Sequence, residues 1–377
     1  MRRPLLAAAA VLALVPATPH AIARVHQPDP AVWQAALTAP WSAPGAPTAF
    51  TDQRALNPEY DFMARTFLVL ALADRALAEP TSAERHAATI DAILTDTLAQ
   101  DAAHGPHHWL LPYADTRPWR GDGRSLFVDG EVLVMLGARR LIADDRADWR
   151  DEMDRRAGWV EGSLGAAGPR FLAESYPNEG WTFCHTMALV GLRMHEVLDG
   201  ADHRATRDAW LAEARATLID PETGMLVSEF DLTGRVGDGP EGSSIWLAAT
   251  ALQVLDPDLA RDQYTRAKDH LGRDLFGLGY AREWPQGETT GVDVDSGPIV
   301  PVLEASASSS GLALVAATAF GDDRWRGQLV TALGAAEAVL ALDPELARVA
   351  DNPVGRSVLL WGLGFGPVWS RLGAPPA

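Results

Sequence analysis

An apolar segment of helical length that opens on glycine and an acid recurs along this chain. Regular recurrence of this kind marks an architecture built from repeats. The openings are Asn57-Pro58-Glu59, Asp129-Gly130-Glu131, Asn178-Glu179-Gly180-Trp181, Pro240-Glu241-Gly242-Ser243, Glu304-Ala305-Ser306 and Asn352-Pro353-Val354-Gly355. Taken at Glu59, Glu131, Glu179, Glu241, Glu304 and Asn352, they are spaced by 72, 48, 62, 63 and 48 residues. Units of this size bury their apolar faces by stacking on neighbours. Six buried helices whose first turns share one end would gather several carboxylates around one mouth.

The segments predict inner helices over 58–78, 126–142, 179–199, 241–255, 304–319 and 354–371. They are apolar on most faces, as in Met187-Ala188-Leu189-Val190-Gly191-Leu192, and a helix apolar all round is buried. Amphipathic stretches at 81–100, 144–160, 202–217, 257–272 and 322–341 lie between them and predict an outer layer. The expected class is all-α, an (α/α)6 barrel occupying residues 57–377 as one domain. Five outer helices against six inner ones leave one gap, for the N-terminal arm or the C-terminal tail to fill. Long loops at 101–125, 161–178, 218–239 and 273–303 precede inner helices and carry Gly, Pro, Trp and acids. Loops of such length in a compact domain are commonly functional. A short hairpin is expected around Gly224–Phe230 and Gly234–Gly237, with no strand-rich domain.

The N-terminus reads Met1-Arg2-Arg3-Pro4, then runs apolar from Leu5 to Val15, then reaches Ala21-Ile22-Ala23. A basic start, a short apolar run and small residues at alternate positions describe a secretory signal peptide over 1–23. The run is shorter than the about 20 residues a membrane span requires. Residues 24–56 read as a mostly extended arm with one short helix at 31–38. The expected location is periplasmic or secreted. The net charge of −18 becomes −20 once Arg2 and Arg3 leave with the signal. So acidic a surface repels nucleic acid and anionic membranes, leaving a small-molecule partner as the expectation and homo-oligomerisation open. Cys184 is the only cysteine, so no internal disulfide forms.

Residues 174–222 run Glu174-Ser175-Tyr176-Pro177-Asn178-Glu179-Gly180-Trp181-Thr182-Phe183-Cys184, then an apolar helix. His203-Arg204-Ala205-Thr206-Arg207-Asp208-Ala209-Trp210-Leu211 and Leu218-Ile219-Asp220-Pro221-Glu222-Thr223-Gly224 follow. This stretch resembles the linalool dehydratase/isomerase family, and the resemblance extends weakly over about 58–330. It implies an exported (α/α)6-barrel enzyme that adds or removes water at a terpene alcohol without a cofactor. It implies, too, a site built from inner-helix starts. Cys184 matches the second of the family's two pocket cysteines, while Ser175 stands at the first. Glu131 follows Gly130 where the family has histidine after glycine. Gly242, beside Glu241, stands where the family has tyrosine. Trp181 matches an aromatic wall residue, and Phe127 replaces a methionine.

The candidate catalytic residues are Glu131, Cys184 and Asp295. Glu131, in the first turn of a predicted inner helix, is either a general acid or base raised in pKa by burial or a helix-dipole acid. Cys184 is either a thiol activated by helix N-terminal dipoles or a small core hydrophobe. Asp295 and Asp293 belong to Asp293-Val294-Asp295-Ser296-Gly297-Pro298, which suits polar contacts to substrate or to a cation, or an Asx-type turn network. Glu179 and Glu241 read as capping acids or members of an acidic ring. Phe127, Ser175, Tyr176, Trp181 and Trp246 complete the expected substrate-binding set. His107-His108 has no third ligand at a matching spacing, so no metal site is expected there; that no cofactor is needed is what the resemblance implies. The alternative functions are a glycoside hydrolase, with an open acidic cleft, and an exported binding protein without catalysis.

Overall fold

The computed structural model describes residues 29–42, 48–285, 292–293, 297–300, 303–340 and 352–375. The signal-peptide expectation lies outside them. They are predominantly α-helical. In chain order the helices are α1 (Pro30–Thr38), α2 (Thr48–Leu56), α3 (Pro58–Ala78), α4 (Ala83–His104), α5 (Leu126–Ile142), α6 (Ala147–Ala166) and α7 (Thr182–Asp199). Then come α8 (Arg204–Thr217), α9 (Gly242–Leu252), α10 (Pro257–Leu271), α11 (Ala307–Ala319), α12 (Asp323–Leu340), α13 (Pro353–Gly364) and α14 (Pro367–Arg371). No helix among the described residues is long and apolar enough to cross a membrane.

The odd-numbered helices from α3 to α13 carry the buried apolar surface. Helix α3 packs on α5, α5 on α7, α7 on α9, α9 on α11, α11 on α13, and α13 packs back on α3. The amphipathic helices lie behind them: α4 on α3 and α5, α6 on α5 and α7, α10 on α9, and α12 on α11. The close approach of α5 to α7 has a cause in the sequence. A Cβ at Gly130 would stand 2.8 Å from that of Ala188, and one at Gly191 would stand 2.7 Å from Leu133 Cγ. Glycine at these positions lets two backbones meet where any side chain would push them apart.

Helix starts follow local chemistry. Asn57 accepts from Glu59 N at 2.9 Å ahead of Pro58, and Asn352 accepts from Gly355 N at 2.7 Å ahead of Pro353, the Asn-cap and N1-proline arrangement. Three expectations need correction. The arm is not mostly extended: α2 forms as well as α1, α1 packing on α13 and α2 on α3, so the arm fills the outer gap. The last inner helix is not continuous over 354–371; Gly366, at φ 142°, breaks it between α13 and α14. The stretch read as a loop over 273–303 and the first residues of the inner helix expected at 304–319 form five short antiparallel strands. These are β3 (Gly272–Leu275), β4 (Leu278–Arg282), β5 (Val292–Asp293), β6 (Gly297–Val300) and β7 (Ala305–Ser306), in the order β3-β4-β7-β6-β5. The β3–β4 turn uses Phe276 and Gly277, both at positive φ, the mirror-image turn that matches strand twist. Two further short strands, β1 (Gly180–Trp181) and β2 (Glu229–Phe230), pair antiparallel, and Phe230 also bridges Val236 in the expected hairpin region.

Candidate active site

Helix α5 is capped by Ser125, whose hydroxyl accepts from Val128 N at 3.3 Å. Glu131 is therefore its sixth residue, in the second turn rather than the first. This removes the helix-dipole reading, because the unpaired N–H groups belong to the first turn. Two residues along a helix are about 200° apart around its axis, and Asp129 and Glu131 accordingly meet different surroundings. Asp129 turns toward the outer layer, where Arg156 Nη1 donates to it at 2.7 Å and Arg124 Nε at 2.6 Å. Glu131 turns inward between α3 and α7 and is 1 % exposed. Neither of its oxygens, nor the Thr66 hydroxyl of α3, has a hydrogen bond of normal geometry among the described residues. Burial pushes the Glu131 carboxyl up to about 7, against a smaller opposing pull from Thr66.

The turn that precedes α7 brings four more expected residues alongside. In Tyr176-Pro177-Asn178-Glu179, Glu179 N donates to Tyr176 O at 2.9 Å and Asn178 sits at φ 66°. Pro at the second position and Asn in the left-handed third position suit this turn. It folds Ser175 back so that Ser175 N donates to Glu179 O at 2.8 Å and Trp181 N donates to Ser175 Oγ at 3.2 Å. Cys184, the third residue of α7, is 2 % exposed. Burial pushes its thiol well above the usual range; the Ser175 hydroxyl opposes this, and the Glu131 and Glu59 carboxyls add to it. The expectation of a dipole-activated thiol is thus corrected: desolvation and two nearby acids outweigh the helix terminus, and Cys184 stays a neutral thiol at neutral pH.

Tyr176 is buried and donates its hydroxyl to Glu59 while accepting from Leu111 N at 2.9 Å. Its ring stacks on Tyr113 at 5.1 Å, and Tyr113 donates to Glu179 Oε2 at 2.9 Å. Glu179 also pairs with Arg117. It lies before α7 and does not cap it; its carboxylate is held by this tyrosine and arginine. Phe127 meets Phe62 edge-on at 5.2 Å and Phe183 at 5.7 Å, and Phe62 stacks on Trp109 at 4.9 Å. The result is an apolar wall near the starts of α3, α5 and α7. Trp181 is half-buried, and its indole N–H has no hydrogen-bond partner among the described residues.

Two expected residues sit elsewhere. Trp246 Nε1 donates to Ser309 Oγ of α11 at 3.0 Å, and its ring meets Tyr264 of outer helix α10 at 6.0 Å. It packs between α9, α10 and α11, so the shared-mouth expectation fails for it: the fifth residue of α9 faces back toward the outer layer. Glu241 is buried just before α9, its N–H donating to Ser228 Oγ at 2.9 Å. Nearby, Glu283 accepts from Ser243 N at 2.8 Å and from Ser306 Oγ at 2.5 Å, a second group of acid and hydroxyl at the starts of α9 and α11. Asp293 lies in β5 opposite Gly297, and Asp295 lies outside the described residues.

Sequence reasoning passed over Glu59 and Thr66 as site members. They are seven residues apart, two helical turns, so both fall on the α3 face that meets Glu131 and Cys184. That spacing was the available signal. His185, next to Cys184, is structural. Its Nε2 accepts from Ala173 N at 2.9 Å, its Nδ1 donates to Trp181 O at 2.8 Å, and burial lowers it to about 4. His107 is equally committed, to Asp115 at 2.6 Å and Trp119 Nε1 at 2.7 Å.

The assembled group is therefore one carboxyl raised to about 7, one neutral thiol and one hydroxyl, with a tyrosine–glutamate pair and an aromatic wall beside them. Such a set moves protons without presenting a strong nucleophile. No family model and no curated protein matches the chain.

Proposed function

We propose that this chain is an exported acid–base enzyme of the linalool dehydratase/isomerase type, acting on a small, largely apolar alcohol. The neighbour order of α3, α5, α7, α9, α11 and α13 supports reading the fold as an (α/α)6 barrel. One observation carries the functional reading. Glu131 is a buried carboxyl without an ion-pair partner among the described residues, held near pKa 7 beside Cys184 and Ser175. A carboxylic acid kept protonated near neutrality is what a leaving hydroxyl needs. In the proposed elimination Glu131 gives its proton to the substrate oxygen and the C–O bond breaks. Water departs, and the Tyr176–Glu59 pair receives the proton lost from the neighbouring carbon as the double bond forms. Hydration is the same path reversed. Phe127, Phe62 and Phe183 supply apolar surface for the hydrocarbon part. Asp293 and Asp295 remain the loop acids of this reading.

The test begins with a screen of tertiary and allylic alcohols against α- and β-glycosides. On a responding alcohol, Glu131→Gln is expected to lower kcat by ~10²–10⁴ with the fold intact. Wild-type dehydration is expected to fall as pH rises through about 7 and Glu131 loses its proton. Full activity in Glu131→Gln would remove the residue from the mechanism. Turnover confined to glycosides would replace the alcohol reading with hydrolysis, and binding without turnover would make the chain an exported binding protein.

A further inference from the structure

Helix α3 carries a buried hydroxyl that its own backbone does not use. A threonine inside a helix commonly donates to the carbonyl four residues back. Among the described residues Thr89, Thr95, Thr97, Thr250, Thr265 and Thr318 do so at 2.7–3.2 Å. Thr66 is 0 % exposed, yet its hydroxyl bonds neither the Phe62 carbonyl nor any other group with normal geometry. An unpaired buried hydroxyl costs stability, and valine, of the same shape, would fill the place without that cost. Packing therefore does not account for threonine at this position. The group it meets does. Thr66 lies on the α3 face toward α5, beside Glu131, whose two oxygens also lack a partner of normal geometry among the described residues.

The two groups complement each other. A threonine hydroxyl has one proton to give; a carboxylic acid donates from one oxygen and accepts at the other, and a carboxylate only accepts. With Thr66 donating to one Glu131 oxygen, the acid's own proton sits on the other, the oxygen that faces away from α3. The same donation favours the ionised form and so opposes the desolvation that raises the carboxyl. Hydrogen bonds of this kind are often long or poorly aligned before substrate binds and tighten in the reacting complex. The other titratable groups facing this space are Cys184 of α7 and Glu59 of α3, the latter held by the Tyr176 hydroxyl. Neither is a cation, so the hydroxyl is the group left to steer the acid.

We infer that Thr66 is a positioning residue for proton transfer: it holds one Glu131 oxygen and thereby presents the protonated oxygen to the leaving hydroxyl. The inference rests on the acid role of Glu131 proposed above. The experiment follows the Glu131 carboxyl of the full chain by ¹³C NMR as pH is varied, its resonance identified by its loss in Glu131→Gln. In Thr66→Val the titration midpoint is expected to move up by about one pH unit, as loss of a hydrogen bond to a charged group implies, with Tm unchanged or higher. Thr66→Ser keeps the hydroxyl and should restore the wild-type midpoint. On a responding alcohol, Thr66→Val should carry the alkaline limb of dehydration upward by the same amount. It should also lower kcat about tenfold while KM changes less than about twofold. An unmoved midpoint in Thr66→Val would overturn the inference, as would a Thr66→Ser midpoint displaced as far as that of valine. A Thr66→Val protein too unstable to titrate would assign the hydroxyl to the fold and overturn it too. A moved midpoint in a protein that turns over no alcohol would instead uphold the Thr66–Glu131 bond and remove the dehydratase reading.

Discussion

The two ends of α5 handle buried charge in opposite ways. At its C-terminal end Arg139 contacts Asp91 at 2.7 and 3.0 Å, Asp145 at 3.1 Å and the Ala143 carbonyl at 2.6 Å. Arg140 contacts Asp199 at 2.6 and 2.7 Å and Asp144 at 2.9 and 3.2 Å. Both cations also sit at the favourable end of the helix dipole. Near the N-terminal end Asp129 is treated the same way by Arg124 and Arg156, but Glu131, two residues on, receives no cation among the described residues. Arginines are abundant near α5, yet none among the described residues pairs with Glu131. Burying an unpaired carboxylate is costly, and the group responds by holding its proton. Asp74, also buried and raised to about 7, shares this lack of a cation among the described residues but accepts from Val368 N at 2.7 Å; a buried acid with no such partner beside a thiol has the electrostatic profile of a functional site.

Breaking the compensated side should have the largest effect on stability. Arg156 joins Asp129 at 2.7 Å, Asp101 at 2.6 Å and Glu152 at 2.8 Å, and its side chain is 4 % exposed. Arg156→Ala leaves several acids without their shared cation and is expected to cost about 3–5 kcal/mol, measured by urea denaturation at neutral pH. A loss below about 1 kcal/mol would mean that the contrast between the two environments is not energetic.

The uncompensated side should respond with the opposite sign. The folded-state pKa of Glu131, about 7, lies above its ordinary 4.5. Its contribution to stability is complete below pH 4.5, declines as pH rises toward 7 and is gone above that. The interval corresponds to roughly 3 kcal/mol. Glu131→Gln cannot ionise, so the variant is expected to match the wild type near pH 4 and to exceed it by up to about 3 kcal/mol at pH 8. Asp74, whose burial lifts its carboxyl from 3.8 to about 7, adds a slope of the same sign. It does so in both proteins and cancels in the difference. Equal stability of the two proteins at pH 8 would show that Glu131 is not desolvated.

A smaller change sharpens the geometric half of the comparison. Gly130→Ala inserts a methyl 2.8 Å from Ala188 Cβ on α7. Overpacking of this kind costs about 1–3 kcal/mol, and the forced separation of α5 from α7 should lower activity beyond the stability loss. Calorimetric Tm and kcat measured on the same preparation test this. A neutral effect on both would mean that the Gly-acid pair does not set the α5–α7 distance.

Much of the scaffold was legible before any tertiary information. The inner helix at 126–142 begins and ends as expected because Ser125 caps it and its apolar run has no breaker. Prolines after asparagine marked the starts of α3 and α13 for the same local reason. What escaped detection depends on partners distant in sequence. The strands of 272–306 are short, and their pairing of β4 with β7 is a nonlocal contact. The arm helix α2 was hidden by a Pro- and Ala-rich neighbourhood. Trp246 illustrates the limit for the site: an aromatic at an inner-helix start is equally consistent with a pocket wall and with interhelical packing until the Ser309 and Tyr264 contacts decide it.

The residues alone determined that this chain builds alternating buried and amphipathic helices, because periodicity, caps and breakers act within one or two turns. They also singled out Glu131, Ser175, Tyr176 and Cys184, by order along helix starts and by resemblance. The electrostatic character of those residues was decided only by tertiary structure. Whether Glu179 is clamped by Tyr113 and Arg117 depends on burial and on neighbours tens of residues away. The same holds for a neutral Cys184, for Glu131 left without a cation among the described residues, and for the meeting of Thr66 with Glu131. Charge interacts through space and solvent, not along the chain.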